Sequence, residues 1–440
     1  MWYLEHFNYT GIADTGPVIR KSSFSNIIHN GDIVPDITVD VQHHFDSTEM
    51  LKHVHIPDNL KVTSLYGKAG MTLTDAMSDT RANIILEMPA RWLGLIPDPE
   101  LAHIVNTHHL LITDFEDGGM IYNNGLIKRL IQLRIVPKKT ILHATSSTQL
   151  NDVPSLNMKH MYVPYWLFFN SAFAHAKYAD KLDQHVSFIQ NSTYSKQLLF
   201  LNLKPRLYRT KLLLRLWKAG ILDHASVDWS WINGKPYKTD PNSGTQTAAP
   251  AHASSEGPGV PELISTMVSK LTSEEQNLWE QIQQAYTFPK FHSTISNSDQ
   301  LLNSAPSDFA VYNWSLAVET HYGNEFPLTN KLGTASFMTE KTFKSFMQAS
   351  MPLTLCEGDT YNQLNQLGFK VDNQYLDCYT NPEDRLNETV KLIQNILDSN
   401  MAPDRQNIIH NFERIVDIRS TAQVFNDCLI NILKSLTHSK

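Results

Sequence analysis

A cluster of basic residues lies between an apolar run, which is predicted to be a strand, and the start of the helix predicted after it. Lys204, Arg206 and Arg209 follow the run 197–202, and Pro205 is tolerated at a helix start. Helix N-termini attract anions, so cations here would complete a diphosphate site. The alternative is a solvated basic helix, because more basic residues follow at helical spacing. They are Lys211, Arg215 and Lys218.

A second candidate anion site lies at the start of a helix predicted over 339–350. Thr339 is a favourable N-cap residue, and Glu340 is favourable in the first turn. Lys341 opposes the helix dipole, and a bound phosphate would explain a lysine at this position. The alternative is that Lys341 points into solvent. The aromatic side chains that follow are predicted to belong to the core and not to a nucleotide platform.

Common catalytic signatures are absent from the sequence. It has no glycine-rich dinucleotide fingerprint, no phosphate-binding P-loop, no nucleophile elbow and no zinc-protease helix motif. The 19 histidines match no metal-ligand spacing, so we predict no metal site and ordinary core or surface histidines.

Two series of apolar runs predict two parallel sheets with helices between the strands. In the first half, the runs have the length of buried strands, and 124–134 has the spacing of a crossover helix. These runs are 60–66, 83–87, 110–113 and 140–144. The second series has predicted strands at 197–202, 225–232, 309–319 and 351–355. Its predicted helices are 206–219, 339–350, 361–367 and 383–397. The alternation indicates an α/β fold.

The length of 440 residues exceeds what one hydrophobic core usually organises. We therefore predict two Rossmann-like domains facing across a cleft, an acceptor-side domain over 1–195 and a second domain over 196–403. The stretch 239–261 is rich in proline, glycine, serine and threonine and is predicted to be a mobile loop. Residues 404–440 carry apolar side chains at helical spacing, which predicts amphipathic helices packing back across the domains.

Composition narrows the class of protein. A net charge of -7 and a pI near 6.2 argue against non-specific coating of nucleic acid, which needs excess lysine and arginine. Three cysteines give no disulfide framework, which favours a reducing compartment. The sequence shows neither a signal-peptide pattern nor an apolar run of about 18 residues, so we expect a cytoplasmic protein with no membrane span.

Three segments resemble the donor-binding signature of the α1,3-fucosyltransferase family and of related glycosyltransferases from bacteria and large phages. They are 316–320 (Leu-Ala-Val-Glu-Thr), 339–344 (Thr-Glu-Lys-Thr-Phe-Lys) and 351–353 (Met-Pro-Leu). The run 202–209 is similar to the opening of the same domain in phage-type members. The resemblance covers about 197–397. The family's Glu-Asn-Ser is Glu319-Thr320-His321 here, so the resemblance does not extend to guanosine-diphosphate-fucose as the donor.

This resemblance implies a GT-B-like fold and a nucleotide-diphosphate sugar as co-substrate, with no tightly bound cofactor. It implies inversion at the anomeric carbon without a required metal. Lys341 and Arg206 would neutralise the leaving diphosphate, and Glu319 would bind donor hydroxyls or orient the cations. The donor-site residues that it implies are Lys204, Arg206, Arg209, Glu319, Thr339, Glu340 and Lys341.

Such a reaction also needs a general base for the acceptor hydroxyl. Glu116, and after it Asp117, are the best local candidates, in a turn that follows an apolar run; solvated turn residues are the alternative. The expected acceptor is a saccharide or glycoconjugate, in a bacterial or infected host cell. Two alternatives are a phage-type enzyme that glycosylates a hydroxymethylated DNA base and a non-catalytic binding or structural protein that retains the fold.

Overall fold

The computed structural model describes most of the chain as two compact units. The described residues are 1–8, 28–29, 32–33, 48–66, 70–115, 125–134, 138–148, 150, 152–201, 206–228, 260–285, 312–319 and 337–438. The first unit comprises Met1–Asp180, Phe326–Glu340 and Arg414–Lys440. The second unit comprises Lys181–Glu325 and Lys341–Glu413.

The first unit contains a parallel sheet of seven strands among the described residues. Its strands are β1 (Trp2–Asn8), β4 (Val62–Thr63), β5 (Met71–Thr72), β6 (Ile84–Pro89), β7 (His109–Asp114), β8 (Ile141–Thr145) and β9 (Met158–Tyr162). Their order is β4-β1-β6-β7-β8-β9, with β5 also paired to β1. A separate antiparallel pair consists of β2 (Ile28–His29) and β3 (Asp32–Ile33).

Both faces of this sheet are buried, which explains why its strands are almost continuously apolar. Successive side chains along a strand point to opposite faces. One face carries Leu4, Ile85, Leu111 and Leu142. The other face carries Leu86, Leu110, Ile112 and Ile141.

Helices of the first unit pack against these two faces. They are α1 (Thr48–Leu51), α2 (Leu73–Ser78), α3 (Ala90–Leu93), α4 (Asp98–Thr107), α5 (Leu126–Gln132), α6 (Tyr165–Tyr178) and, at the end of the chain, α15 (Ile418–Thr437). Helix α15 places Ala422, Phe425 and Leu429 in the same cluster as Leu111. The spacing of three and four residues is that of an amphipathic helix, so the chain ends against the sheet with which it begins.

The second unit contains a parallel sheet of four strands among the described residues, in the order β11-β10-β12-β13. Its strands are β10 (Lys196–Leu201), β11 (Ala225–Asp228), β12 (Tyr312–Val318) and β13 (Met351–Leu355). Its helices are α7 (Leu182–Asn191), α8 (Leu207–Lys218), α9 (Val260–Val268), α10 (Ser273–Ala285), α11 (Glu340–Met347), α12 (Thr360–Gln366), α13 (Pro382–Asp398) and α14 (Arg405–Val416), of which α11 and α14 contain the unit boundaries.

The α/β class with parallel sheets is confirmed, whereas the cleft between the domains stays a prediction. Helices predicted at 124–134, 206–219 and 383–397 are present with slightly shifted ends. No helix in the described part of the chain has the length and apolarity needed to cross a membrane.

The predicted strand over 60–66 is wrong beyond two residues. Only Val62–Thr63 pairs with β1. The chain then turns, because the carboxylate of Glu5 accepts hydrogen bonds from the Leu65 and Tyr66 backbone N–H groups and from the Ser64 hydroxyl. Burial raises the pKa of Glu5, and these three hydrogen bonds oppose the rise. The predicted loop over 239–261 lies outside the described residues, except that Val260 and Pro261 are the first two residues of α9.

Candidate functional site

The second sheet reverses its winding direction between β10 and β12. The chain passes from β10 outward to β11 and then crosses back to β12 on the other side of β10. In open α/β sheets, ligands gather at the carboxyl ends of the strands that flank such a reversal. Two predicted site residues stand at these ends: Arg206 precedes α8, the helix after β10, and Glu319 directly follows β12.

The side chain of Glu319 is buried at this edge. Glu319 is 2% exposed, and its backbone N–H donates to the Leu355 carbonyl oxygen at 3.0 Å. Its carboxylate oxygen Oε1 accepts a hydrogen bond of 2.6 Å from the Thr342 hydroxyl. A buried carboxylate needs such partners because water is excluded. Glu319 is therefore positioned to orient neighbouring groups.

Thr342 connects the first turn of α11 to two strands. It is fully buried, and its Oγ1 lies 3.2 Å from Oγ1 of Thr354 on β13 as well as bonding to Glu319. These contacts fix the start of α11 at the carboxyl ends of β12 and β13. The half-buried Lys341 immediately precedes Thr342 and so shares this first turn. The structure thus brings Lys341 and Glu319 to one region of the second unit.

We expect the substitution Thr342→Val to destabilise the protein by about 1–3 kcal/mol, because a buried carboxylate would lose a donor. The isosteric change keeps the volume and removes only the hydroxyl. Thr342→Ser is the matched control, since it retains the hydroxyl, and it should cost less. Denaturant titration of both variants measures the difference; equal stabilities would show that the bond to Glu319 contributes nothing.

Arg209 lies at the same edge but bonds to the backbone. It is 3% exposed, and its Nε and Nη2 atoms donate to the Val318 carbonyl oxygen at 3.2 and 3.0 Å. Helix α8 is thereby joined to the end of β12, one residue before Glu319. Arg206 is half-buried and occupies the N-cap position of α8, where its side chain makes no capping hydrogen bond. A role for either arginine at a diphosphate stays a prediction.

Arg385 bonds to the segment that follows β13. From the sequence alone it was not identified as a structural residue. It is 2% exposed, and its guanidinium donates to four backbone carbonyl oxygens. The acceptors are those of Cys356, Gly358, Asp377 and Tyr379. A sequence signal existed, because Arg385 shares one face of α13 with apolar Leu392 and Ile396 at helical spacing.

Two further side chains fix this segment. The buried Tyr361 hydroxyl accepts from the Thr354 backbone N–H at 2.9 Å and donates to the Thr354 carbonyl oxygen at 3.2 Å. Burial raises the pKa of Tyr361 well above its usual range, so it remains a neutral donor. The Asp377 carboxylate accepts from the Asn362 backbone N–H at 2.9 Å in the first turn of α12, and burial raises its pKa. These hydrogen bonds hold the segment after β13 in place at the carboxyl end of that strand.

The remaining basic residues of α8 are paired with carboxylates. Lys211 Nζ lies 2.5 Å from Glu383 on α13, and Arg215 bonds to the same carboxylate. Lys218 Nζ lies 2.6 Å from Glu274 on α10. The pairs join α8 to its neighbouring helices. The alternative of a solvated basic helix therefore does not describe Lys211 and Arg215, which are largely buried, but it does describe Lys218, which is exposed.

We expect the Glu383 pairs to make stability depend on acid pH. Burial raises the pKa of Glu383, but hydrogen bonds from Lys211 and Arg215 outweigh burial and hold it below its ordinary value of 4.5. A carboxyl whose pKa is lowered by folding stabilises the protein above the unfolded pKa and loses that contribution as pH falls through the folded pKa.

Glu383→Gln should therefore cost roughly 1 kcal/mol near neutral pH and less near pH 3. Denaturant titration at both pH values gives the comparison, with Glu388→Gln on the same helix as the control because its partner Lys391 is exposed. A cost for Glu383→Gln that stays constant with pH would contradict the assignment.

The other predicted site residues are placed differently. Lys204, Glu116 and Asp117 lie outside the described residues, as does the side chain of Glu340. Thr339 is 2% exposed and belongs to the segment assigned to the first unit. In the described part of the chain, no group of three or more metal-ligating side chains is found.

Comparison with known proteins identifies no relative of this chain. No protein-family model matches the chain, and neither curated proteins nor solved structures give a significant match. The functional argument therefore depends on the geometry at the carboxyl edge of the second sheet and on the motifs that lie there.

Proposed function

We propose that the protein transfers a sugar from a nucleoside-diphosphate donor to a hydroxyl acceptor. The observation that carries the proposal is the pair of bonds from Thr342 to Glu319 and Thr354, which fixes the start of α11 at the carboxyl edge beside the reversal point. A helix N-terminus presents backbone N–H groups and a positive dipole end to an anion. A lysine in that turn, Lys341, adds a full positive charge.

In this proposal each group has a distinct role. The Lys341 ammonium, with Arg206, stabilises the negative charge that develops on the leaving diphosphate. The buried Glu319 orients the first turn of α11 through Thr342. Arg209 fixes the end of β12. The sugar is displaced directly, with inversion and without a required metal, as the resemblance to α1,3-fucosyltransferases implies.

The acceptor in the proposal is a saccharide or glycoconjugate, and the fold is of the GT-B-like type. The alternative acceptor, a hydroxymethylated base in DNA, gains no support from α8, because Lys211, Arg215 and Lys218 are paired with carboxylates. Cations already paired within the protein contribute less to phosphate neutralisation.

A thermal-shift screen against nucleoside diphosphates and their sugar conjugates tests the donor site. A ligand that binds only the native state stabilises it by about 2.7 kcal/mol at a hundredfold its dissociation constant. We expect a clear increase in melting temperature with one nucleotide, and a larger one with its sugar conjugate. A folded protein that shows no increase with any of them is not a nucleotide-sugar transferase.

A further inference from the structure

Three histidines lie on or beside neighbouring strands of the first sheet. His108 directly precedes β7, His109 is the first residue of β7, and His160 is the middle residue of β9. The strands β7, β8 and β9 are adjacent in the sheet. His108 is fully buried, His109 is 5% exposed and His160 is half-buried. The contacts of each imidazole determine whether it can take a second ring proton.

His108 is held in the neutral form of imidazole. Its Nε2 atom lies 2.9 Å from the Ala76 carbonyl oxygen, which only accepts, so Nε2 carries the proton. Among the described residues, the buried Nδ1 atom of His108 has no hydrogen-bond partner. A second proton on Nδ1 would therefore place a charged N–H group in the interior without an acceptor, which is costly.

His109 uses its Nδ1 atom as an acceptor. The backbone N–H of the buried Thr140 donates to it at 3.3 Å. The rings of His109 and Trp2 meet at 73°, with centroids 5.2 Å apart. Because an imidazolium ring carries protons on both nitrogens, protonation of His109 would set two donors against each other. The buried Thr140 N–H would then lose its acceptor.

His160 shares one proton with His143 on β8. Their Nδ1 atoms lie 2.8 Å apart, so one nitrogen donates and the other accepts. Nε2 of His143 lies 3.3 Å from Oδ2 of Asp114. If both rings were imidazolium, two N–H groups would oppose each other across the shared bond. The pair can therefore become charged only once, and one of the two rings stays neutral in the folded protein.

The electrostatic surroundings act in the same direction. Burial lowers the pKa of His108, lowers that of His109 to about 4 and, with the charge of His143, lowers that of His160 to about 3. The titratable groups around these rings in the described part of the chain are Asp79, His103 and Lys139 near His108 and His109, and His143, Asp114 and Asp152 near His160.

We propose that the part of the first sheet formed by β7, β8 and β9 is an acid-sensitive element, which opens in mildly acidic solution as His108, His109 and His160 take up protons. In the open state each imidazole reaches water and can carry protons on both nitrogens. The inference does not depend on the proposed transfer of a sugar, because it concerns the first unit alone.

Linkage gives the pH range over which the element opens. A histidine whose pKa is lowered by folding stabilises the folded state above its unfolded pKa of about 6.5. That contribution is lost as pH falls below about 6.5, because the open state then binds a proton that the folded state does not. Between pH 7 and pH 5, His109 and His160 should each raise the equilibrium constant for opening by about 20-fold, or roughly 400-fold together. His108 adds to this increase.

Hydrogen exchange of the intact protein, corrected for the intrinsic exchange rate at each pH, measures the opening of individual strands. We expect the opening constant of peptides from β7, β8 and β9 to rise by roughly 100-fold or more between pH 7 and pH 5. Peptides from β12 and β13, which contain no histidine, are the reference and should change much less. A constant value for β7, β8 and β9, or an equal rise in all five strands, would overturn the proposal.

Three variants identify the rings that act. His109→Asn keeps an acceptor oxygen near the position of Nδ1, and His108→Gln keeps a donor near the position of Nε2. His160→Asn keeps an amide that can donate to or accept from His143. The ratio of opening constants at pH 5 and pH 7 should fall by about 20-fold in His109→Asn and in His160→Asn. It should also fall in His108→Gln, and wild-type ratios in all three variants would contradict the proposal.

The ratio separates proton binding from a general loss of stability, because a purely structural effect changes both opening constants equally. Burial raises the pKa of Glu5 in the same unit, which strengthens the folded state as pH falls. Every variant retains Glu5, so its contribution cancels in the comparison with the wild-type protein. His53→Gln, which replaces an exposed histidine of this unit, is the control and should keep the wild-type ratio.

A measurement on the wild-type protein decides the matter if a variant does not fold. In long-range proton–nitrogen spectra of the intact protein labelled with ¹⁵N-histidine, we expect neutral imidazoles with one bare nitrogen to persist at pH 5 beside the protonated rings of exposed histidines. Folded protein at pH 5 in which every imidazole is protonated would overturn the proposal.

Discussion

Arg385→Met should lower the stability of the protein by about 3–5 kcal/mol. The guanidinium of Arg385 donates to four carbonyl oxygens and is 2% exposed, so its removal leaves several buried acceptors without a donor. Native domains are stable by only about 5–15 kcal/mol, so the second unit would lose a large fraction of its stability. Scanning calorimetry should show its melting temperature reduced by roughly 10 °C.

Two companion variants make this prediction specific. Arg385→Lys keeps the charge but cannot present the planar fork of donors, so we expect most of the loss to remain. Lys391→Met lies on the same helix with an exposed side chain and should cost less than about 0.5 kcal/mol. Equal melting temperatures for Arg385→Met and Lys391→Met would show that the carbonyl contacts do not support the fold.

Lys341→Ala should weaken binding of the nucleoside diphosphate by about 10- to 100-fold. Hydrogen bonds to a charged group contribute about 1.5–3 kcal/mol, and each 1.4 kcal/mol corresponds to a factor of ten in affinity. The residue is half-buried in the first turn of α11, so its truncation should have little effect on folding. Isothermal titration calorimetry of the wild-type protein and the variant gives the ratio.

Lys344→Ala is the matched control for this experiment. It removes the same charge from the same helix one turn later, beyond the reach of the helix N-terminus. We expect its affinity to stay close to that of the wild-type protein. Equal losses in both variants would indicate a general effect of charge, and unchanged affinity in Lys341→Ala would remove Lys341 from the donor site.

The strands and helices of the second unit are largely readable from local pattern. β13 was predicted at 351–355 and is found there, because a run buried on both faces needs no alternation. α13 extends one residue beyond its prediction at each end. At its N-terminus, Asn381 caps the helix by accepting a hydrogen bond from the Glu383 backbone N–H. Such signals depend on residues close in sequence.

Contacts between segments that are distant in sequence could not be predicted from local pattern. The prediction of a strand over 60–66 is wrong because the carboxylate of Glu5, far away in sequence, accepts hydrogen bonds from the Leu65 and Tyr66 backbone N–H groups. His143 was interpreted as an ordinary histidine, since its partner Asp114 is 29 residues away. Sequence pattern records which positions are apolar, but it does not record which polar groups meet at a sheet edge.

In the candidate site, too, residues within local motifs could be predicted from the sequence, whereas contacts between distant segments could not. Lys341 and Glu319 are predicted from their motifs, and the Thr342 hydroxyl bonds Glu319 to the helical turn that contains Lys341. No sequence pattern distinguishes Thr342 from its neighbours, because its importance depends on the register that brings β12, β13 and α11 together. The role of Arg385 depends on the fold of the segment 356–379, because its acceptor carbonyl oxygens lie there. Local sequence pattern does not predict that fold.

The most direct measurement is incubation of the protein with the nucleotide sugar that it binds and a panel of simple glycosides. Released nucleoside diphosphate and the anomeric configuration of the product are then followed by NMR. We predict stoichiometric release of nucleoside diphosphate and a product with inverted configuration, in the presence of a metal chelator. A donor that binds tightly but stays intact with every acceptor, water included, would contradict the account and show a binding protein instead.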